Sequence, residues 1–583
     1  MDREVEMTIG PIGHESNESQ KPMASLPDGT ESQTQRPPSR EPSDTPPDGK
    51  QRSTWRLALI VAALFVRVPN SAFQAALDAT IIATAAPTIA KELKSAAGYT
   101  WIGAAFMLAN AASGVIWAKL SDIWGRKLIV LSALTCFFVA SAICATSKTI
   151  EELIVGRALQ GWAAGGLILL VHVCISDLFS LRRRSLFMGL TEGIWALAGG
   201  QLGVGPILGG VFSSLVSWRW CFYINLPISA LAFALVLVFL DIKHENTTFL
   251  EGIKAIDWLG IFTFLAFTLM VLLGLDFGGA IFAWDSAKVI ALLVVGGLMI
   301  FAFVYSEARV SRYPLMPMSL FKTWSNVATF LVTFFHGFVF IAGEYYLPLY
   351  FQSVLEASPL KSGLLLLPYI VTTAVTGVLL GIFIHHTGRF REAMWIGTVA
   401  LCLGTGLFIS FSRSTTTAQV IGYQMVAGFG SGLLFEPVIL SIQSQVEQTN
   451  VATATSTLSF VRCMSLTIST IIGGTIFMNS MQARASILRD VGLPENLLHD
   501  LSGENAMANV MLGSTLTNSA WDLAIKDSFA YAMRNMWICY TTFGFLGVIA
   551  SLFIKASHLG TEHTETVTGL RKEKKEAAPI ESA

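Results

Sequence analysis

Charge is what this chain has least of. Asp, Glu, Lys and Arg make up 14% of its 583 residues, 53% are hydrophobic, and the mean hydropathy is +0.57. Soluble domains carry about 25% charged residues, so the shortage excludes a surface that faces water on all sides. Net charge is −1, which gives no global field to attract nucleic acid, and no such partner is expected. The seven cysteines form no C-x-x-C pair and nearly all sit in apolar segments, so they read as small buried hydrophobes rather than disulfides or metal ligands. His and acidic residues do not cluster at metal-ligand spacing, so neither a metal, a cofactor nor a membrane-embedded enzyme is expected. The phosphate-binding pattern G-x-x-x-x-G-K-S/T is missing too, which points to an ion gradient rather than ATP as the energy source. The first apolar run begins only near Leu57, so no cleavable leader is expected at Met1.

What is present is a series of apolar runs, each long enough to cross a hydrocarbon core about 30 Å thick. About fourteen fall at 57–86, 101–118, 128–147, 154–176, 186–212, 219–240, 256–275, 286–306, 324–353, 362–384, 393–411, 417–440, 451–478 and 534–555. Barrel-type alternation is absent, so the fold class is an all-α polytopic membrane protein. Residues 1–54 are rich in Pro, Ser, Glu and Asp and nearly lack large apolar side chains, which predicts a disordered cytosolic tail. Phosphorylation at Ser39 or Ser43 is the alternative to a merely solubilising role. Basic residues set the orientation. Lys119, Arg126, Lys127, Arg182, Arg183, Arg184, Lys243, Lys254, Arg309, Arg312, Lys322, Arg389 and Arg391 fall on one side, against Lys91, Lys94, Lys148, Lys361 and Arg413 on the other, with Arg219 at a border. The positive-inside rule then puts both termini in the cytosol, with 556–583 as a C-terminal tail. The sequons at Asn17 and Asn246 fall on cytosolic segments, so N-glycosylation is not expected. A long loop at 479–533, predicted outside, carries short amphipathic pieces that suit a small external cap.

Several motifs carry chemistry. Lys119-Leu-Ser-Asp122-Ile-Trp-Gly125-Arg126-Lys127 packs a carboxylate, a glycine turn and cations into a very short connection, which suits a gate that locks one conformation of a helix bundle. Simple positive-inside anchoring is the bland alternative. This string resembles the signature loop of the major facilitator superfamily, with Ala118 where that family opens with glycine. Arg157 with Gln160 and Gly161 opens the fourth span; an intramembrane arginine is costly and by default functional, and Gly161, Gly165 and Gly166 make a smooth face for close helix approach. The string is similar to the family's fourth-span motif, which implies a part for the arginine in proton coupling. Leu77-Asp78-Ala-Thr80, followed by Pro87, is similar to a motif of the fourteen-span drug:proton antiporters. The topology puts Asp78 and Arg157 in the same half of the membrane, where they form either a proton-linked pair or a static ion pair. The dense run containing Gly203, Gly205, Pro206, Gly209 and Gly210 gives a bent, closely packed helix and resembles the antiporter motif of exporters.

Further strings, from Trp218-Arg219-Trp220 to Tyr346-Leu-Pro348-Leu-Tyr350-Phe351-Gln352, resemble fungal pumps that export toxins and secondary metabolites. The resemblance implies two six-helix bundles at 55–240 and 324–555, joined by a linker at 241–323 with two extra spans. Glu344, Tyr346, Gln352 and Glu436 are candidates for lining a substrate cavity, with His336 about two turns before Glu344. Glu192 reads instead as interfacial, near the cytosolic end of its span. The aromatic residues around Phe334–Tyr346 suit either an adaptable cavity or plain packing. Arg67, Pro69 and Asn70 interrupt the first span, as a substrate contact or as an insertion, and Arg462-Cys-Met464-Ser465 lacks the glycines expected for close packing in the thirteenth.

The function these readings imply is proton-coupled efflux of small apolar or amphipathic molecules by alternating access. The expected partners are a small-molecule substrate, protons and the lipid bilayer, and the chain is expected to act as a monomer. The alternatives are an uptake permease or siderophore exchanger of the same fold, or a non-transporting membrane sensor. The expected location is the cell membrane, with a vacuolar or vesicle membrane also open.

Overall fold

The computed structural model describes residues 98–198, 211–240, 247–278, 282–311, 313–501 and 518–557, together with positions 81, 85, 88, 89, 92, 93, 208, 209, 506, 509 and 559–561. Among these residues the protein is helical and contains no β-strand. Eleven described helices are long and apolar enough to cross a membrane.

A first group packs together: α1 (Gly98–Trp124), α2 (Arg126–Thr146), α3 (Ile150–Leu178), α4 (Leu181–Ala198) and α5 (Asn225–Phe239). A short α6 (Phe249–Ala255) leads to the pair α7 (Trp258–Phe277) and α8 (Ala287–Tyr305). The second group is α9 (Trp324–Ser353), α10 (Pro359–Thr387), α11 (Arg391–Leu407), α12 (Thr417–Gly432), α13 (Phe435–Ser444), α14 (Val451–Asp490), α15 (Glu495–Asp500) and α16 (Ser519–Ser551). Local chemistry sets the boundaries. Thr149 and Glu152 close a capping box on α3, and Thr416 and Gln419 do the same on α12, each satisfying amides that the first turn leaves free. Gly125 alone separates α1 from α2, at φ 87°, a backbone state that a side chain disfavours. The sequence expects Asp122 in a loop; it lies instead within the last turns of α1.

The two groups meet where α4 crosses α10 and where α14 lies against α1 and α3. At the first crossing the backbones nearly touch: a Cβ on Gly189 would come within 3.0 Å of the Gly377 carbonyl oxygen. The α7–α8 pair rests on this seam, with Phe264, Phe267 and Phe303 gathered around Phe460 of α14. On its outer side α8 exposes Leu298 and Phe301, as lipid contact requires.

The predicted loop at 479–533 is mostly helix. Residues 479–490 continue α14, α15 follows, and α16 begins at Ser519. At 1.5 Å per residue the 40 residues of α14 span about 60 Å, far more than the hydrocarbon core, so its far end projects beyond the membrane. The end of α14, the segment that follows it and the start of α16 bury Leu488, Leu493, Leu498, Ile525 and Phe529 in the same core as Tyr350 and Phe351. The charges stay outside, where Arg489 pairs with Glu495 and Lys526 with Asp522 and Glu356.

Candidate functional site

A cavity of about 350 Å³ lies between the two helix groups. α1 contributes Asn110 and Gly114, α3 Gly165 and His172, α4 Glu192, α9 His336, Phe340 and Glu344, α10 Thr373 and Gly377, α13 Phe435, and α14 Ser456, Phe460, Arg462 and Cys463. The wall is therefore largely apolar with a few polar groups, as a small-molecule site requires.

Helical period decides which of the expected residues reach it. On α9, His336, Gly337, Phe340, Ile341 and Glu344 share one face at spacings of one, four, five and eight. Glu344 thus lines the cavity as expected. Tyr346 is two residues on, about 200° around the helix, so it is fully buried elsewhere and donates to the Thr470 carbonyl at 2.6 Å. Gln352 lies beyond the cavity and donates to Ser362 Oγ at 3.4 Å. Glu436 neighbours Phe435 but turns away from the lining residues and is buried against Gly189 and Gly381 at the α4–α10 crossing. Of the aromatic run only Phe340 reaches the cavity; Phe335 and Phe338 pack on Phe543.

Glu192 corrects the interfacial reading. α4 starts at Leu181, eleven residues earlier, which lifts Glu192 about 16 Å along the axis and into the cavity wall. Arg462, His172 and Asn110 were not foreseen as cavity residues. For Arg462 and His172 the available signal was an ionisable side chain inside an apolar span.

Near one end of the helices, Arg126 is buried between two carboxylates: its Nη1 lies 2.6 Å from Asp122 Oδ1 and its Nε 2.7 Å from Asp177 Oδ2. Ser121 Oγ accepts a further bond at 2.6 Å. Asp177, the partner that sequence reading missed, closes this cluster from α3. Lys127 is partly exposed beside it. Asp122 also accepts from Thr453 Oγ1 of α14 at 3.5 Å, so the cluster touches the second helix group.

Among the described residues, the other side-chain hydrogen bonds between the groups lie at the same end. Arg184 donates to Gln443 Oε1 and Gln448 Oε1, both at 3.1 Å, and to the Phe179 carbonyl. Arg182 donates to the carbonyls of His385 and His386. Ser185 Oγ reaches the Gly381 carbonyl at 3.1 Å, and Gln448 Nε2 the Ser176 carbonyl at 3.3 Å. The end that carries the basic loops is therefore bolted shut beneath the cavity.

Arg157 is buried on α3, donating to the Ile102 carbonyl at 3.1 Å and to Gln160 Oε1 at 2.8 Å, with Phe106 under its guanidinium at 4.3 Å. Gln160 in turn donates to Ser141 Oγ at 3.0 Å. Gly161 lies so close to the Phe106 backbone that a Cβ has no room, which is the smooth face its spacing predicts. Asp78, Gly203, Gly205, Pro206 and Gly210 lie outside the described residues, as do Arg67, Pro69 and Asn70; Gly209 is helical and buried.

Comparison with known proteins agrees with this architecture. Efflux pump dotC of Dothistroma septosporum is 42% identical over 528 residues, covering 91% of this chain and 89% of that protein. MFS-type transporter ppz2 of Metarhizium majus is 41% identical over 535 residues, covering 91% of each. The solved proton:xylose symporter XylE shares the fold, with a TM-score of 0.54 at 13% identity over 86% of this chain and 97% of that one. Residues 70–470 match the Major Facilitator Superfamily. The chain belongs to that superfamily of membrane transporters.

Proposed function

We propose that this protein is a proton-coupled exporter of small apolar or amphipathic molecules, working by alternating access. The observation that carries the reading is the central cavity. It is apolar with a few ionisable groups, lies between two helix groups, and is closed by hydrogen bonds at the basic end. The positive-inside rule makes that end cytosolic, so this is the state in which cargo cannot return to the cytosol. The efflux-pump name of the dotC relative supports the outward direction; the symporter shares only the fold and says nothing of it. The remaining spans bring the expected total to fourteen, with both termini cytosolic.

Asp78 and Arg157 are the proposed coupling pair, and Asp122, Gly125, Arg126 and Lys127 the gate. Buried at the α4–α10 crossing, Glu436 meets water only if that crossing parts, so it is a second candidate to carry a proton. Reconstituted in vesicles, the protein expels a fluorescent amphipathic probe only with an acidic exterior, and Asp78→Asn or Arg157→Ala abolishes that efflux. Undiminished, protonophore-insensitive efflux in both variants overturns the mechanism.

A further inference from the structure

Among the described ionisable groups that line the cavity, Arg462 is the one whose charge cannot be switched off. A carboxyl group sheds its charge by taking a proton and an imidazole by losing one, whereas a guanidinium stays charged at any accessible pH. Glu192, Glu344, His172 and His336 can therefore adapt to an apolar surrounding, and Arg462 cannot.

Its surroundings leave that charge poorly answered. The guanidinium lies over the Phe435 ring at 4.9 Å, and Nη2 donates one long bond of 3.5 Å to the Phe435 carbonyl. Nε is buried with no hydrogen-bond partner. Among the described residues no carboxylate lies within 4.0 Å; Glu192, also in the cavity wall, interacts with the charge without forming an ion pair. The fold nevertheless makes room for this side chain. Gly337 of α9 faces it, and a Cβ there would come within 3.6 Å of Arg462 Cγ and strike Ser465 Oγ. Beside it, Phe340 and Phe435 meet edge to face at 5.0 Å, and Phe460 also lines the cavity. A cation held at membrane depth is costly unless something compensates it, and a planar fork of N–H donors matches an oxyanion best.

We infer that the cavity takes an organic monoanion: a compact, largely apolar ring system against Phe340, Phe435 and Phe460, with one oxyanion held by Arg462. The inference rests on the transport reading only in taking this cavity as the cargo site. Neither the direction of transport nor the proton enters it.

The test is equilibrium binding to the purified full-length protein, by titration calorimetry in nanodiscs without any gradient. Three probes share one naphthalene ring and carry a negative, a neutral or a positive polar group: 2-naphthoate, naphthalene-2-carboxamide and 2-naphthylmethylammonium. A charge-assisted hydrogen bond predicts that naphthoate binds about tenfold or more tightly than the carboxamide, with the ammonium weakest. Arg462→Gln removes the preference for the anion, so that naphthoate binds no more tightly than the carboxamide, and Arg462→Lys keeps part of the preference. The inference is overturned if the carboxamide or ammonium equals naphthoate, if the preference survives Arg462→Gln, or if naphthoate does not bind the folded wild-type protein. Should Arg462→Gln fail to fold, the wild-type ranking and Arg462→Lys decide. Loss of proton-driven efflux in vesicles with the ranking intact would sink the exporter reading and leave this one standing.

Discussion

Arg126 and Arg462 are both enclosed among packed helices, and their neighbourhoods treat them in opposite ways. Around Arg126 every direction has an answer: Asp122 and Asp177 hold it at 2.6 and 2.7 Å, and Ser121 takes a further bond. Around Arg462 there is an aromatic face, one long bond to a carbonyl and a buried Nε with nothing to donate to. The first arrangement is complete within the chain and joins α1, α2 and α3. The second is incomplete within the chain and opens on the cavity. A transporter needs both kinds: a cation that fixes the shape of a closed end, and a cation left for something that comes and goes.

The comparison has a sharp consequence for stability. Removing one member of a buried, hydrogen-bonded charge cluster costs about 3–5 kcal/mol, because the partners stay buried without compensation. Arg126→Ala strands two carboxylates and is expected to cost that much in equilibrium unfolding in mixed micelles. Arg462→Gln strands no carboxylate within reach and relieves a poorly compensated charge, so it changes stability by less than about 1 kcal/mol, in either direction. Equal losses in the two variants would break the comparison and show that Arg462 is a structural cation.

Arg184 stands between these cases. Its partners across the seam, Gln443 and Gln448, are neutral, and both lie on the other helix group. Hydrogen bonds to a charged group contribute about 1.5–3 kcal/mol, and they exist only while the basic end is closed. Arg184→Ala therefore leaves each group folded but weakens their closure. Spin-label distances between the α3–α4 turn and the α10–α11 turn should show the open population rising severalfold or more. An unchanged distribution would mean that the remaining bonds of Arg182, Ser185 and Gln448 hold the end shut without Arg184.

The bilayer-length runs made most of the helices legible, since period and length are local properties of a sequence. Asp122, Gly125 and Arg126 were legible as a cluster for the same reason. Asp177 was not, because it lies 51 residues from Arg126 and only the packing of α2 on α3 brings them together. Glu192 was misplaced by reading its span from residue 186, a few residues late at 1.5 Å each. Tyr346 and Glu344 differ by two positions in sequence and by about 200° on the helix, and α9 turns only Glu344 of the two to the cavity. The helix bounds within 479–533 were less legible, because amphipathic pieces lack the unbroken apolar run that marks a span.

The smallest effect belongs to a pair that is compensated but exposed. Arg219 donates to Glu92 Oε1 at 2.7 Å and to the Ser147 carbonyl at 3.1 Å, while Trp218 donates to Glu92 Oε2 at 2.8 Å. The Arg219 bond holds the Glu92 carboxyl below the usual carboxylate range; partial burial opposes it and Trp218 assists. A depressed folded-state value means that the contribution is present in full above the ordinary carboxylate range and is lost as pH falls through the folded value. Solvent screens this pair, whose side chains are 29% and 49% exposed, so Arg219→Gln costs only about 0.2–1 kcal/mol at neutral pH. The gap between wild type and variant should shrink in high salt and fade as pH falls below the ordinary carboxylate range, until Glu92 has taken up its proton in both. A loss as large as that of Arg126→Ala, or one that persists once Glu92 is protonated, would show that pairing rather than burial sets the scale for arginines in this fold.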